Sequence, residues 1–197
     1  MLNEKYQKTL FVIGGPNGSG KTTLARELVD SQNATYLSAD DIAYELNPQN
    51  PFSVRIQAGK EFFRRLDDLG RREENIIIES TLSGKLLIPL VSRFKSEYRF
   101  NIAITFIYLS DEHMCAERVK VRVLRGGHFV PFEDIKRRFS RSMLNFWHEY
   151  RNHCDAWHLF YNSEDGFREV ARSLQKKMIV LDESLFETFK QIIDSYE

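Results

Sequence analysis

Eight consecutive residues near the start of the chain have the types and spacing of a phosphate-binding loop. The segment GPNGSGKT, from Gly15 to Thr22, matches the pattern G-x-x-x-x-G-K-[ST] at every fixed position. Its glycines let successive backbone N–H groups point into one concavity, which binds anions at a helix N-terminus. In such a loop Lys21 contacts the β- and γ-phosphates, and the Thr22 hydroxyl is a ligand for Mg²⁺. The predicted nucleotide-binding residues are Gly15, Pro16, Asn17, Gly18, Ser19, Gly20, Lys21, Thr22 and Thr23.

Two carboxylates, Asp40 and Asp41, follow the second predicted strand, which covers Thr35 to Ser38. Ligands of open parallel sheets bind outside the carboxyl ends of the strands. A carboxylate at that place can accept the proton of an acceptor hydroxyl, or hold the hydroxyl in line with the γ-phosphate. We expect Asp40, ahead of Asp41, to have this catalytic role. The alternative is that one of them only caps the next helix, because Asp is a favoured N-cap residue.

Polar residues also follow the third predicted strand, Asn75 to Ile78. Glu79 can bind an acceptor hydroxyl or a magnesium-bound water, and Thr81 can contact the acceptor. An ordinary transition from strand to loop is the alternative. No predicted strand ends in the aspartate of a standard Walker B motif, so the second protein contact of the metal is left open.

A group of arginines lies in the second half of the chain. Arg118, Arg122 and Arg125 are spaced at i, i+4 and i+7, which places them along one helix face. On a lid helix, this face can set guanidinium groups against a polyphosphate and stabilise charge on the γ-phosphoryl group. A second group follows the glycine-rich turn that starts at Gly126: Arg137, Arg138 and Arg141. The alternative, which applies most to this second group, is a solvated charged face.

Short apolar runs alternate with helical stretches along the chain, which indicates βαβ units. Their right-handed crossovers predict an α/β fold of the P-loop NTPase type: a parallel sheet with helices on both faces and a helical lid at about 111–150. The predicted strands are Thr9–Ile13, Thr35–Ser38, Asn75–Ile78, Phe100–Leu109 and Trp157–Tyr161. The predicted helices are Thr22–Val29, Val54–Leu69, Lys85–Phe94 (interrupted by Pro89), Glu112–Leu124 and Phe132–Tyr150.

The whole chain, 1–197, is predicted to be a single domain. Its C-terminal extension, at about 174–197, can add a strand at Met178–Leu181 and a helix at Leu185–Tyr196. An aromatic run in the preceding helical region is assigned to the core: Phe139, Phe146, Trp147 and Tyr150.

The composition limits the classes of partner. Lys and Arg number 28 and so do Asp and Glu, which argues against a protein that holds nucleic acid mainly through its phosphates. The two cysteines, Cys115 and Cys154, are far apart and outside any CxxC pattern, so a reducing cytoplasm is expected. The first residues lack the apolar core of a signal peptide, and no stretch is apolar enough to predict a membrane span.

Six stretches, taken in order, resemble the zeta toxin-like family of P-loop kinases. They extend over residues 10–163, and the GGH-x-VP block after the arginine helix is the most specific of them. The stretches are GGPNGSGKTTLA, SADDIAYELNP, AGKEFF, IIIESTLSG, ERVKVRVLRGGHFVP followed by DIKRRFSRSMLNF, and WHLFYNS.

This resemblance implies ATP- or GTP-dependent transfer of the γ-phosphate to a hydroxyl of a small molecule, with Mg²⁺ as the cofactor. UDP-N-acetylglucosamine is the best-known acceptor of the toxin members, and an antitoxin would be the protein partner of a toxin. By motif position the resemblance implies these roles: Lys21 and Thr22 for triphosphate and magnesium, Asp40 as base, Glu79 and Thr81 for the acceptor, Arg118 and Arg125 for the phosphates, and Asn162 and Ser163 beside the base.

Three points stay open at this stage. Arg122 competes with Arg125 as the second phosphate-facing arginine, because the spacing to Pro131 differs from that of the toxins. The acceptor can instead be a nucleoside, an antibiotic or an RNA end. A nucleotide-dependent ATPase or switch without any phosphoryl acceptor is the alternative from another class, and it predicts that Asp40 is dispensable.

Overall fold

The chain alternates strands and helices over the residues that the structure, a computed structural model, describes, namely 8–127, 129–174 and 176–197. The first seven residues and His128 of the GGH-x-VP block, on which parts of the sequence interpretation rest, lie outside these ranges. The strands are β1 (Thr9–Gly14), β2 (Ala34–Leu37), β3 (Asn75–Ser80), β4 (Asn101–Tyr108), β5 (Ala156–Ser163), β6 (Gly166–Leu174) and β7 (Lys177–Val180). The helices are α1 (Lys21–Gln32), α2 (Ala39–Leu46), α3 (Arg55–Gly70), α4 (Leu87–Ser96), α5 (Glu112–Leu124), α6 (Phe132–His148) and α7 (Glu183–Asp194). Short 3-10 helices cover Pro51–Val54 and Tyr150–Asn152.

These strands form one sheet in the order β2-β3-β1-β4-β5-β6-β7. The five from β2 to β5 are parallel, and β6 and β7 are added antiparallel at one side. The predicted α/β fold of the P-loop type is confirmed, with a sheet that is mostly rather than wholly parallel. Strand β6 was not predicted, because Arg168, Glu169 and Arg172 interrupt its apolar pattern.

Helices cover both faces of the sheet, as expected. On one face Ile13, Ile77 and Ile107 pack with Ala25 of α1 in a small buried cluster. The other face carries the larger core, which α2 to α7 share. Its strand residues alternate with those of the first cluster, as the two-residue period of a strand requires; they are Leu10, Val12, Ile76, Ile78, Ile102, Ile104 and Phe106.

The predicted lid region forms α5 and α6, and α6 is anchored to the sheet. Helix α5 has the predicted bounds, whereas α6 ends at His148 and continues as a 3-10 turn. The Phe146 ring stacks on that of Phe106 in β4, with centroids 4.3 Å apart and an interplanar angle of 4°. The four aromatic side chains assigned to the core, from Phe139 to Tyr150, are buried.

Two further boundaries have simple physical reasons. Pro89 lies in the first turn of α4, where its missing N–H has no intrahelical acceptor, so the helix begins at Leu87 rather than being interrupted. The C-terminal segment forms the expected strand and helix, and Phe189 and Ile193 of α7 are buried. Among the described residues, none of the helices has the length and apolar run that a bilayer crossing requires.

Candidate active site

The loop between β1 and α1 has the backbone conformation of an anion-binding nest. Gly15, Gly18 and Gly20 have φ angles of 141°, 78° and 97°, values that favour glycine. A Cβ at Gly15 would lie 2.2 Å from the carbonyl oxygen of Ile107 in β4. The loop therefore passes too close to the sheet for a larger residue. Thr23 is exposed in the first turn of α1.

Lys21 is the seventh of the eight loop residues and the first residue of α1. Its hydrogen bond and the charges that act on it describe the surroundings of the phosphate site. Its ammonium Nζ donates to the carbonyl oxygen of Pro16 at 2.8 Å. Burial lowers the pKa of Lys21 to about 8; the negative charges of Glu79 and Asp40 partly oppose this, and the positive charge of Arg122 adds to it. Glu79 comes from β3, Asp40 from α2 and Arg122 from α5, so three elements converge on one ammonium group.

Thr22 and Glu79 meet between α1 and β3. The Thr22 hydroxyl oxygen lies 3.1 and 2.9 Å from Oε1 and Oε2 of Glu79 and donates to this carboxylate. Strand β3 is the neighbour of β1 and aligns Glu79 with Ile13, which brings the carboxylate to the loop. A hydroxyl and a carboxylate are the hard oxygen donors that Mg²⁺ takes, and P-loop NTPases use this pair. The residues fit a magnesium ion, and the contact favours the metal side of the two roles expected for Glu79.

Tyr36 of β2 is a residue of this site that the sequence interpretation missed. Its hydroxyl donates to Oε1 of Glu79, and its ring packs in the apolar cluster beneath α1. In the sequence Tyr36 counts as an ordinary strand aromatic. Only the pairing of β2 with β3 brings its hydroxyl to Glu79.

Asp40 is exposed in the first turn of α2, at the carboxyl end of β2. Ser38 is the N-cap of this helix, and its hydroxyl oxygen accepts from the backbone N–H of Asp41 at 3.4 Å. The alternative that Asp40 or Asp41 is the cap is therefore wrong. The charge of Asp40 acts on Lys21, whereas that of Asp41 acts on Tyr36. Asp40 is thus a solvent-exposed carboxylate whose charge acts on the lysine of the phosphate loop.

The loop after β3, which carries Thr81, has an uncommon backbone conformation at the next residue, Leu82. Leu82 has a φ of 54°, which is rare for a leucine, and its side chain is buried below Gly14. The hydroxyl oxygens of Thr81 and Ser83 are 2.8 Å apart. Backbone strain of this kind persists where the surroundings fix it, and it occurs often at ligand sites.

Helix α6 contacts both this loop and the phosphate loop. Asn145 donates to the carbonyl oxygen of Leu82 at 2.9 Å, and the Tyr150 hydroxyl donates to that of Gly84 at 2.5 Å. About two turns before Asn145, Nη1 of Arg138 lies 3.5 Å from Oδ1 of Asn17 in the phosphate loop.

For Arg137, Arg138 and Arg141 the alternative from the sequence is a solvated face, and Arg137 and Arg141 are exposed whereas Arg138 is half-buried. The signal that separates it from them is the helical period. Arg138 lies three residues after the buried Ile135 and four before the buried Ser142, so it borders the inner face of α6.

The arginines of α5 take different positions. Nη2 of Arg118 donates to the carbonyl oxygens of Asn162 and Ser163, at 3.0 and 3.2 Å, so its guanidinium is held at the end of β5. Arg122 acts on Lys21. Arg125 is the exposed C-cap of α5, because the helix ends at Leu124 and the i+7 position no longer follows the helical face. Of the two competing residues, Arg122 is half-buried and its charge acts on Lys21, whereas Arg125 is exposed.

Asn162 and Ser163, expected beside the nucleotide base, have structural partners. Nδ2 of Asn162 donates to the carbonyl oxygen of Ser19 at 2.8 Å, and the residue is only 8% exposed. The Ser163 hydroxyl accepts from the backbone N–H of Asp165 at 3.2 Å, within the turn between β5 and β6. Asn162 therefore supports the phosphate loop from the sheet, and Ser163 stabilises the adjacent hairpin.

Replacing Asn162 with alanine is expected to lower the free energy of unfolding by about 1–3 kcal/mol, because the buried Ser19 carbonyl loses its donor. Urea denaturation followed by tryptophan fluorescence measures this. Asn152→Ala is the matched control: its amide also donates to a backbone carbonyl, at 2.7 Å, but in an exposed position. Equal effects of the two changes would contradict the supporting role of Asn162.

Comparison with known proteins places the chain in a family. A family model described as an AAA domain matches residues 10–142, so the chain belongs to this family. An uncharacterized protein of Haemophilus influenzae is 33% identical over 132 residues, which are 67% of this chain and 92% of that protein. A cytidylate kinase of Sulfurisphaera tokodaii is 34% identical over 87 residues, 40% of this chain and 48% of the kinase. The chain thus spans about half the length of that enzyme.

Solved structures agree with the fold. The AvrRxo1-ORF1:ORF2 complex with ATP superposes with a TM-score of 0.77 at 17% identity, over 96% of this chain and 64% of the other. The PezAT toxin–antitoxin system of Streptococcus pneumoniae gives a TM-score of 0.66 at 14% identity, over 98% and 85% of the two chains. At these identities the likeness shows the fold alone. The chain has a P-loop kinase-like fold, which it shares with these neighbours.

Proposed function

We propose that the chain is a kinase that transfers the γ-phosphate of ATP or GTP to a hydroxyl of a small molecule. The observation that carries this proposal is the contact between Thr22 of the phosphate loop and Glu79 of β3, with Asp40 at the carboxyl end of the neighbouring strand β2. The charges of Asp40 and Arg122 also act on Lys21 of the same loop. A base, a metal-side carboxylate and a guanidinium around a phosphate loop are the groups that phosphoryl transfer to a hydroxyl requires. The kinase-like fold and the cytidylate kinase relatives support nucleotide-dependent phosphotransfer, the broader class of this reaction.

Each residue has a defined part in this reaction. Asp40 accepts the proton of the acceptor hydroxyl as its oxygen forms the new bond to the γ-phosphorus. The bond from that phosphorus to the β–γ bridging oxygen breaks, and the nucleoside diphosphate leaves with the electron pair. Lys21 and Arg122 stabilise the charge on the phosphoryl oxygens. A magnesium ion held by Thr22 and Glu79 supplies further positive charge to the phosphates.

Thr81 is the residue that we assign to the acceptor, because it follows β3 on the same edge of the sheet as Asp40. UDP-N-acetylglucosamine is the first acceptor to test, on the resemblance to zeta toxins. An antitoxin is the corresponding protein partner, and the complexes formed by PezAT and AvrRxo1-ORF1 support this idea. The free thiols of Cys115 and Cys154 suit a cytoplasmic protein.

The test is nucleotide turnover with and without candidate acceptors. Release of ADP or GDP is measured with UDP-N-acetylglucosamine, with the nucleoside cytidine and with no acceptor, and the products are identified by mass spectrometry. We expect one acceptor to raise turnover at least tenfold and to gain 80 Da, the mass of one phosphoryl group. Slow hydrolysis that no hydroxyl compound stimulates would instead favour an ATPase or switch.

A further inference from the structure

Three hydroxyl and carboxylate side chains form a connected group at the edge of the phosphate loop. The Thr22 hydroxyl donates to both oxygens of Glu79, and the Tyr36 hydroxyl donates to Oε1. Thr22 is at the start of α1, Tyr36 in β2 and Glu79 near the end of β3. Tyr36 is therefore the only one of the three that stands outside the expected metal and phosphate groups.

The hydroxyl of Tyr36 makes a contact that the packing of its ring does not require. Its ring is half-buried in the cluster beneath α1, and a phenylalanine would fill that space equally well. The hydroxyl extends from this cluster to the carboxylate on the neighbouring strand. A phenylalanine at this position would leave Oε1 of Glu79 without its phenol donor.

We propose that Tyr36 is a positioning residue for the metal: it holds Oε1 of Glu79 so that Oε2 stays directed at Thr22, where the magnesium ion of the nucleotide binds. This inference rests on the proposed function, since it requires a metal–nucleotide complex in the loop. Removing a residue that orients a metal ligand in this way typically lowers the affinity for the metal by about 10- to 100-fold.

The test compares the affinity for the ATP analogue AMP-PNP with and without magnesium. Calorimetry gives the dissociation constant in excess Mg²⁺ and in EDTA, and their ratio is the enhancement due to the metal. In Tyr36→Phe we expect this enhancement to fall about tenfold, whereas the metal-free affinity changes less than twofold. A thermal melt of each variant checks that it is folded.

Tyr98→Phe is the matched control. The Tyr98 hydroxyl also donates to a carboxylate, that of Asp67 at 2.7 Å, near the amino end of β4 and away from the phosphate loop. We expect its metal enhancement to equal that of the unaltered chain. An equal loss in Tyr36→Phe and Tyr98→Phe, or no loss in Tyr36→Phe, would overturn the inference.

Glu79→Gln is the second variant, and it tests whether Tyr36 acts through Glu79. We expect Glu79→Gln to lose the enhancement on its own, and Tyr36→Phe to cause no additional loss in the Glu79→Gln background. Full enhancement in Glu79→Gln, or additive losses in the double variant, would overturn the inference. If the unaltered chain binds AMP-PNP without any metal enhancement, only this inference fails; if it binds no nucleotide at all, the proposed function fails as well.

Discussion

Replacing Asp40 with asparagine is expected to lower kcat for phosphoryl transfer by about 10³-fold, because the acceptor hydroxyl then loses its proton acceptor. Asn keeps the size of the side chain, and the carboxylate is exposed rather than part of the core. Binding of ATP should therefore change little. Turnover with the identified acceptor gives kcat, and calorimetry gives the dissociation constant of the nucleotide.

Asp41→Asn is the control for this prediction. Asp41 is the next residue of the same helical turn, is also exposed, and has its charge directed at Tyr36 rather than at Lys21. We expect its kcat to stay within about threefold of the unaltered value, well below the effect of removing a general base. Asp40→Asn with full turnover would remove Asp40 from the mechanism and favour an ATPase without a hydroxyl acceptor.

Replacing Lys21 with methionine is expected to lower kcat by about 10²- to 10³-fold, since a donor to the γ-phosphoryl oxygens is lost.

The affinity for nucleotide is expected to depend on pH, because Lys21 titrates in the accessible range. The pKa of Lys21 in the empty loop is about 8, and a bound polyphosphate raises it. The protonated form binds the anion, so affinity is highest below pH 8 and falls as the pH rises above 8. Calorimetry from pH 7 to pH 9.5 measures this slope.

Lys21→Arg separates charge from titration, because a guanidinium stays protonated throughout this range. Its affinity for ATP should not fall above pH 8, whatever its absolute value.

The free energy of unfolding gives an independent check on the direction in which the pKa of Lys21 is shifted. The pKa of Lys21 is lowered by folding, so the burial penalty is fully present below pH 8 and is relieved towards pH 10.5. Ligand-free Lys21→Met should therefore be at least as stable as the unaltered chain at pH 7, and a marked loss of stability would contradict the burial of this ammonium.

The parts of the site that the sequence predicts are those whose chemistry is local. The phosphate loop needs glycines, a lysine and a threonine within eight residues, and the elements on both sides of it follow from short apolar and helical patterns. Asp40 and Glu79 were found by one further step, because parallel strands end at a common edge. This rule alone places both residues at the same edge of the sheet as the phosphate loop, without knowledge of which strands are neighbours.

The parts that the sequence did not predict depend on contacts between distant segments. The Tyr36 hydroxyl reaches Glu79 on the neighbouring strand, 43 positions away in the chain, and Asn162 reaches Ser19 over 143 positions. Neither residue type marks such a role by itself. The choice between Arg122 and Arg125 depended on where α5 ends, and helix ends are the least predictable feature of a helix.

Helix α6 packs on the sheet through Phe146, while Arg138 and Asn145 reach two different loops, so the loop of the nucleotide and that of the proposed acceptor would share one support. Whichever ligand arrives first restrains that support, and the second ligand then has less conformational entropy to lose. The two substrates should accordingly help each other to bind even though neither touches the other's loop. Such cooperative binding would favour the ternary complex with both substrates over the binary complex, in which the bound nucleotide is exposed to hydrolysis by water.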